Sequence, residues 1–177
     1  GGFKLVLSQD ASYAFVTEEV ADQVEVIDLV EKASAARIPV GPRPAGIAIA
    51  PNGEEVYVAS VGRSLTVIDA QRHAYKDSIE VGEIATRRLA IAPDGAHVYT
   101  ARLFASEPSG DSSTLQLIGV DLTEGTVSKT VEIGNPTDLS TQVVDLALSE
   151  DGAFLFATIQ RVVPVTTVPD IVSFQLQ

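Results

Sequence analysis

The stretch Gly41–Gly82, G-P-R-P-A-G-I-A-I-A-P-N-G-E-E-V-Y-V-A-S-V-G-R-S-L-T-V-I-D-A-Q-R-H-A-Y-K-D-S-I-E-V-G, decides the fold. Its apolar residues gather in four short groups: Ile47 with Ile49, Val56 to Val58, Leu65 with Val67 and Ile68, and Ile79 with Val81. Between them stand Pro51-Asn52-Gly53, Gly62-Arg63-Ser64 and Asp69. Short β-branched and aromatic runs bounded by Asn, Gly, Pro and Asp predict strands rather than helices. Asn-Gly supplies the positive φ that a tight hairpin needs. The segment therefore predicts one four-stranded antiparallel sheet, the size of a propeller blade.

The same plan recurs on both sides. A first copy runs from Lys4 to Gly41, with Gln9-Asp10-Ala11-Ser12 as its turn and Val24-Glu25-Val26-Ile27-Asp28 as its third strand. A third copy carries Pro93-Asp94-Gly95 and Val98-Tyr99-Thr100, and a fourth carries Glu150-Asp151-Gly152 and Leu155-Phe156-Ala157-Thr158. Asp10, Asn52 and Asp94 fall at intervals of 42 residues. Phe15, Tyr57, Tyr99 and Phe156 recur at one position of the unit and are expected to be core. The later copies are longer, with the surplus at roughly 103–113 and 160–169, both expected as long loops between second and third strands.

The expectation is an all-β chain, a β-propeller of four four-stranded antiparallel blades at about 3–41, 42–82, 83–134 and 135–177, the last blade lacking one strand. Three arrangements satisfy that count: a closed four-bladed ring, part of a longer propeller, or a half-ring completed by a homodimer. An open half-ring leaves the apolar flanks of its first and last blades in water, which soluble proteins avoid.

The motif Arg43-Pro44-Ala45-Gly46-Ile47-Ala48-Ile49-Ala50-Pro51-Asn52-Gly53, followed by Val56-Tyr57-Val58-Ala59-Ser60 and Thr66-Val67-Ile68-Asp69, resembles the YVTN-type β-propeller repeat. The resemblance covers nearly the whole chain. The final Asn of the family motif is replaced by Glu18, Ser60, Arg102 and Ile159. The resemblance implies a propeller fold and a secreted, periplasmic or cell-surface setting. It implies no single activity, because similar repeats serve surface-layer proteins, adhesins and lactonase-like or dehydrogenase-like propellers.

Composition narrows the function classes. The 177 residues include no cysteine, which removes disulfides and cysteine-ligated metals. A net charge of −12 argues against nucleic acid, whose binding needs clustered cations. No apolar run approaches the roughly 18 residues of a membrane span, so no membrane insertion is expected. The chain opens on a strand directly after Gly1-Gly2, as expected of an excised domain from which any secretory segment has been removed.

Strand alternation sends the loops between second and third strands, and those joining blades, to one face. That face is predicted to collect Arg43, Arg63, Arg87, Arg88, Arg102 and Arg161, together with Asp138 and Asp145. Guanidinium groups match carboxylate and phosphate geometry, so the candidate ligand is a small anion, with a protein or glycan as the larger alternatives. Pairing with neighbours such as Glu107, Asp111 and Asp138 is the plainer account. Arg88 aligns with Asp145, Gly46 and Lys4 at the start of the innermost strand, where an Arg88–Asp145 pair is expected.

Catalytic patterns are weak. His73 and His97 lie in different blades, and no H-x-H, H-E-x-x-H or nucleophile-elbow spacing occurs. The Asp-Gly turns lack the alternating oxygen ligands of a calcium loop. No catalytic residue, metal or cofactor is expected. The reading is a binding or scaffold propeller. Its rivals are part of a lactonase-like or dehydrogenase-like enzyme with residues outside the chain, and a purely architectural surface repeat.

Overall fold

The computed structural model describes residues 4–82, 88–105, 113–133, 141–163 and 166–176. All regular structure among them is strand, in four antiparallel sheets that form a four-bladed β-propeller. Blade 1 holds β1 (Leu5–Leu7), β2 (Tyr13–Glu18), β3 (Gln23–Asp28) and β4 (Ala33–Pro39). Blade 2 holds β5 (Gly46–Ile49), β6 (Glu55–Ala59), β7 (Ser64–Asp69) and β8 (Ala74–Glu80). Blade 3 holds β9 (Ala90–Ile91), β10 (His97–Ala105), β11 (Ser113–Asp121) and β12 (Thr126–Glu132). Blade 4 has β13 (Thr141–Leu148), β14 (Phe154–Val163) and β15 (Thr166–Gln175) and, among the described residues, no fourth strand.

The turn residues explain why the unit repeats. In each β1–β2 type turn a side-chain oxygen accepts a backbone N–H two residues on: Asp10 from Ser12, Asn52 from Glu54, Asp94 from Ala96 and Asp151 from Ala153. The following residue lies in the left-handed region, Gly53 and Gly95 both at φ 72°. The Asp that ends each third strand acts similarly. Asp28, Asp69 and Asp121 each accept two backbone N–H groups of the next turn. Between third and fourth strands, blades 1 to 3 all shift register, at Val26/Ile27, Val67/Ile68 and Gly119/Val120.

Packing is between neighbours. One core cluster joins blades 1 and 2 through Phe15, Val24, Val26, Ile47, Val56, Val58 and Ile68. Blades 2 and 3 share Leu65, Val81, Ile118 and Val120, and also Tyr57 and Val67 with Leu122. Blades 3 and 4 share Tyr99, Leu117, Leu146, Leu155 and Ile159. Among the described residues no cluster joins blade 4 to blade 1, and Leu5, Leu7, Phe154 and Phe156 are exposed. Among the described residues the four blades thus form an open arc, with no core between blade 4 and blade 1.

Two expectations change in detail. Much of the surplus at 103–113 and 160–169 is not loop but elongated hairpin. β10 and β11 stay paired out to Ala105↔Ser113, and β14 and β15 out to Val163↔Thr166. The aromatic position is core in three blades only: Phe15, Tyr57 and Tyr99 are 0, 3 and 4 % exposed, whereas Phe156 is 39 % exposed. The reason is positional. Phe156 faces the side on which a further blade would pack.

Candidate functional site

The candidate face is the rim that carries the β2–β3 and β6–β7 loops, the blade connectors and the far ends of β10 and β14. Its arginines are mostly occupied. Arg43 sits at φ 50°, held there because its backbone N–H donates to Asp22 Oδ1 at 2.8 Å. Its guanidinium donates through Nε and Nη2 to Glu19 Oε1 at 3.2 and 3.0 Å, and Glu19 is largely buried. Arg43 therefore straps the first blade's loop to the connector into the second. Arg63 pairs with Glu80 at 3.0 Å within blade 2, both side chains exposed.

Arg102 is sunk between blades 2 and 3. It donates through Nη1 to the Val81 carbonyl at 2.8 Å and through Nε to Gln116 Oε1 at 3.1 Å. Desolvation on burial lowers its pKa. Gly82, at φ 83°, makes room for it, since a Cβ there would stand 3.1 Å from Arg102 Nη1. Arg88 reaches across to blade 4, with Nε 3.4 Å from Asp145 Oδ1 and a hydrogen bond to the Val144 carbonyl. Its own carbonyl accepts from Thr100 Oγ1 at 2.9 Å.

The structure thus brings Arg88 and Asp145 together, and gives Arg43, Arg63 and Arg102 separate protein partners. Arg87 and Asp138 lie outside the described residues, as do Glu107 and Asp111. Arg161 is on β14, its backbone opposite Thr141 and Val168, and its side chain lies outside the described ones. The connector 135–142 is described only from Thr141, which already belongs to β13.

Among the described residues, and Arg102 apart, the ionisable groups with displaced pKa values sit toward the opposite end of the blades, and the aspartates among them serve turns. Hydrogen bonds from the Ser8 hydroxyl and the Ser12 N–H hold Asp10 at about 2. The Ser149 hydroxyl and the Ala153 N–H lower Asp151. Backbone N–H groups, from Arg72 for Asp69 and from Glu124 for Asp121, do the same. Burial raises Glu55, but hydrogen bonds from Lys76 and Tyr57 outweigh it, and its pKa is lowered. Burial and then the Glu55 carboxylate raise Tyr57. Among these groups Glu55, Tyr57, Lys76 and Asp69 of blade 2 interact with one another, whereas Asp10, Asp121 and Asp151 belong to turns of three different blades. Among the described residues no group of three His, Asp or Glu side chains is placed to hold a metal.

Sequence reasoning missed the third-strand aspartates as organisers of the next turn. Their signal was present, because Asp28, Asp69 and Asp121 recur at one place in the unit. It also missed Ser60, whose buried Oγ finds no hydrogen-bond partner among the described residues. Gly41 lies close above it, with room for no side chain: a Cβ there would stand 2.9 Å from Ser60 Cβ.

No family model and no curated protein matches the sequence. Among solved structures the chain is similar to Kuenenia stuttgartiensis hydrazine synthase, with a TM-score of 0.83 and 22 % identity. The match covers 98 % of this chain and 50 % of that one, so the chain spans about half the length of its structural neighbour. At that identity the likeness establishes the β-propeller fold and nothing about activity.

Proposed function

We propose that the chain is a non-catalytic recognition unit, a YVTN-type propeller of an exported or cell-surface protein. It binds a protein or glycan partner with the rim that carries the β10–β11 and β14–β15 hairpins. One observation carries this reading. The strands of these hairpins are nine and ten residues long, against five or six for the equivalent strands of blades 1 and 2. At about 3.3 Å per residue, the extra pairs project roughly 10 Å past the shorter blades. Recognition tends to reside on such insertions into a rigid scaffold. A large partner is favoured over a small anion because Arg43, Arg63, Arg88 and Arg102 already donate to carboxylates, an amide and carbonyls.

The test is a variant in which 160–169 is replaced by Asn-Gly, so that Ile159 and Asp170 close the hairpin. An immobilised glycan array and surface-protein extracts should retain the unaltered chain and lose the variant at unchanged circular dichroism. Equal retention of both, or turnover of a lactone or alcohol panel by the unaltered chain, would overturn the reading.

A further inference from the structure

The two ends of the arc are unfinished in complementary ways. In blade 2, Ile47, Ile68 and Ala70 form the side that receives blade 1 and are 7, 0 and 7 % exposed. The same positions in blade 1 are Leu5, Ile27 and Leu29, and Leu5 and Leu29 are 58 and 40 % exposed. At the other end, Phe156 occupies the position by which Phe15, Tyr57 and Tyr99 pack into the blade-to-blade cores. It lies open beside Phe154, at a ring separation of 6.4 Å, with Val144 and Ile171 also exposed on blade 4. Blade 1 thus presents an unused receiving side, and blade 4 an unused packing side.

Charge follows the same logic. Where blade 3 meets blade 4, Arg88 pairs with Asp145, and both stand at the same position of the repeat, six residues before the turn aspartates Asp94 and Asp151. The equivalent residue of blade 1 is Lys4. A junction from blade 4 to a blade 1 sets Asp145 beside Lys4, the same pair with its sign reversed. Asp145 is two-thirds exposed and open to that contact.

We propose that a second copy of this chain covers both end faces, blade 4 of each copy packing head to tail on blade 1 of the other. The two open arcs of four blades then close into one ring of eight. Each junction continues the interface already made three times inside the chain. Head-to-tail contacts close into a ring only if the rotation per unit allows it, and otherwise run on as a filament. The area hidden is apolar surface of a kind that soluble proteins do not leave in water.

Light scattering on the purified chain across a micromolar concentration range reads the outcome. Closure gives twice the chain mass of 18.6 kDa. Leu5→Glu and Phe156→Glu, both on exposed side chains, should each give a folded monomer. Mixing these two variants should restore a weaker dimer, because one of its two junctions then joins an intact Leu5 to an intact Phe156. A strict monomer overturns the proposal. So does a filament, a dimer that survives Leu5→Glu, or a mixture that stays monomeric.

Discussion

Arg88 ties two blades together: its Nε stands 3.4 Å from Asp145 Oδ1, and it also donates to the carbonyl of Val144. The pair spans 57 positions of sequence and joins the segment just before β9 to the middle of β13. Asp145 is mostly in water while Arg88 is mostly covered, so the two partners contribute unequally. Asp145→Asn should cost under about 1 kcal/mol, as exposed pairs do. Arg88→Ala should cost about 1–2 kcal/mol, because the hydrogen bond to the Val144 carbonyl is lost as well. Urea melts of both variants check the order. An equal loss would mean that the carboxylate carries the whole contact.

Gly119 faces the ring of Tyr99, where a Cβ would stand 2.8 Å from Cε1. Tyr99 is buried between blades 3 and 4 and has nowhere to retreat. Gly119→Ala should therefore destabilise by about 1–3 kcal/mol, in the range of core overpacking. Thermal denaturation with Gly125→Ala as companion separates crowding from backbone strain. Gly125 has φ 64° but open space around it.

Arg43 combines a left-handed backbone with a side chain that grips Glu19. Arg43→Ala loses the guanidinium and keeps the strained φ, whereas Arg43→Gly loses the guanidinium and relieves the strain. The Gly variant should be the more stable of the two by about 1 kcal/mol. Identical melting midpoints would show that the connector shifts to another conformation.

Acid stability follows from the turn aspartates. Asp10 is lowered from 3.8 to about 2, and Asp69, Asp121 and Asp151 are lowered in the same direction. Below 3.8 the unfolded chain takes up protons that these folded carboxylates refuse, so stability falls as pH drops. The loss should be complete once pH passes below about 2. Asp10→Asn and Asp151→Asn together should flatten this part of the profile in urea melts at stepped pH. An unchanged slope would place the acid sensitivity elsewhere.

Blade number, strand order and the turns were legible because each depends on residues close in sequence. Asp94-Gly95 and Asp151-Gly152 mark a turn whatever packs beside it. Hairpin length was not legible. Pro164 and Pro169 broke the strand pattern after Ile159, yet Pro169 pairs opposite Gln160 within β15. Among the described residues β15 is an edge strand, where proline is tolerated. The partners of the arginines were legible in part. The Arg88–Asp145 pair was legible because both residues fall at one position of the repeat, whereas Glu19 is brought to Arg43 by a turn that no local pattern encodes. Phe156 makes the same point, since its aromatic ring reads as core and its exposure depends on what stands next to it.

Each core cluster belongs to two adjacent blades, and none of those described spans three. Such a molecule melts as a row of dominoes rather than as a drop: cooperativity passes only from neighbour to neighbour. Amide protons of β6 and β10, flanked on both sides, should outlast those of β2 and β14 in hydrogen exchange, and fraying should start at the two terminal sheets. Joining the ends would abolish that gradient, because a circle has no terminal member from which unzipping can begin.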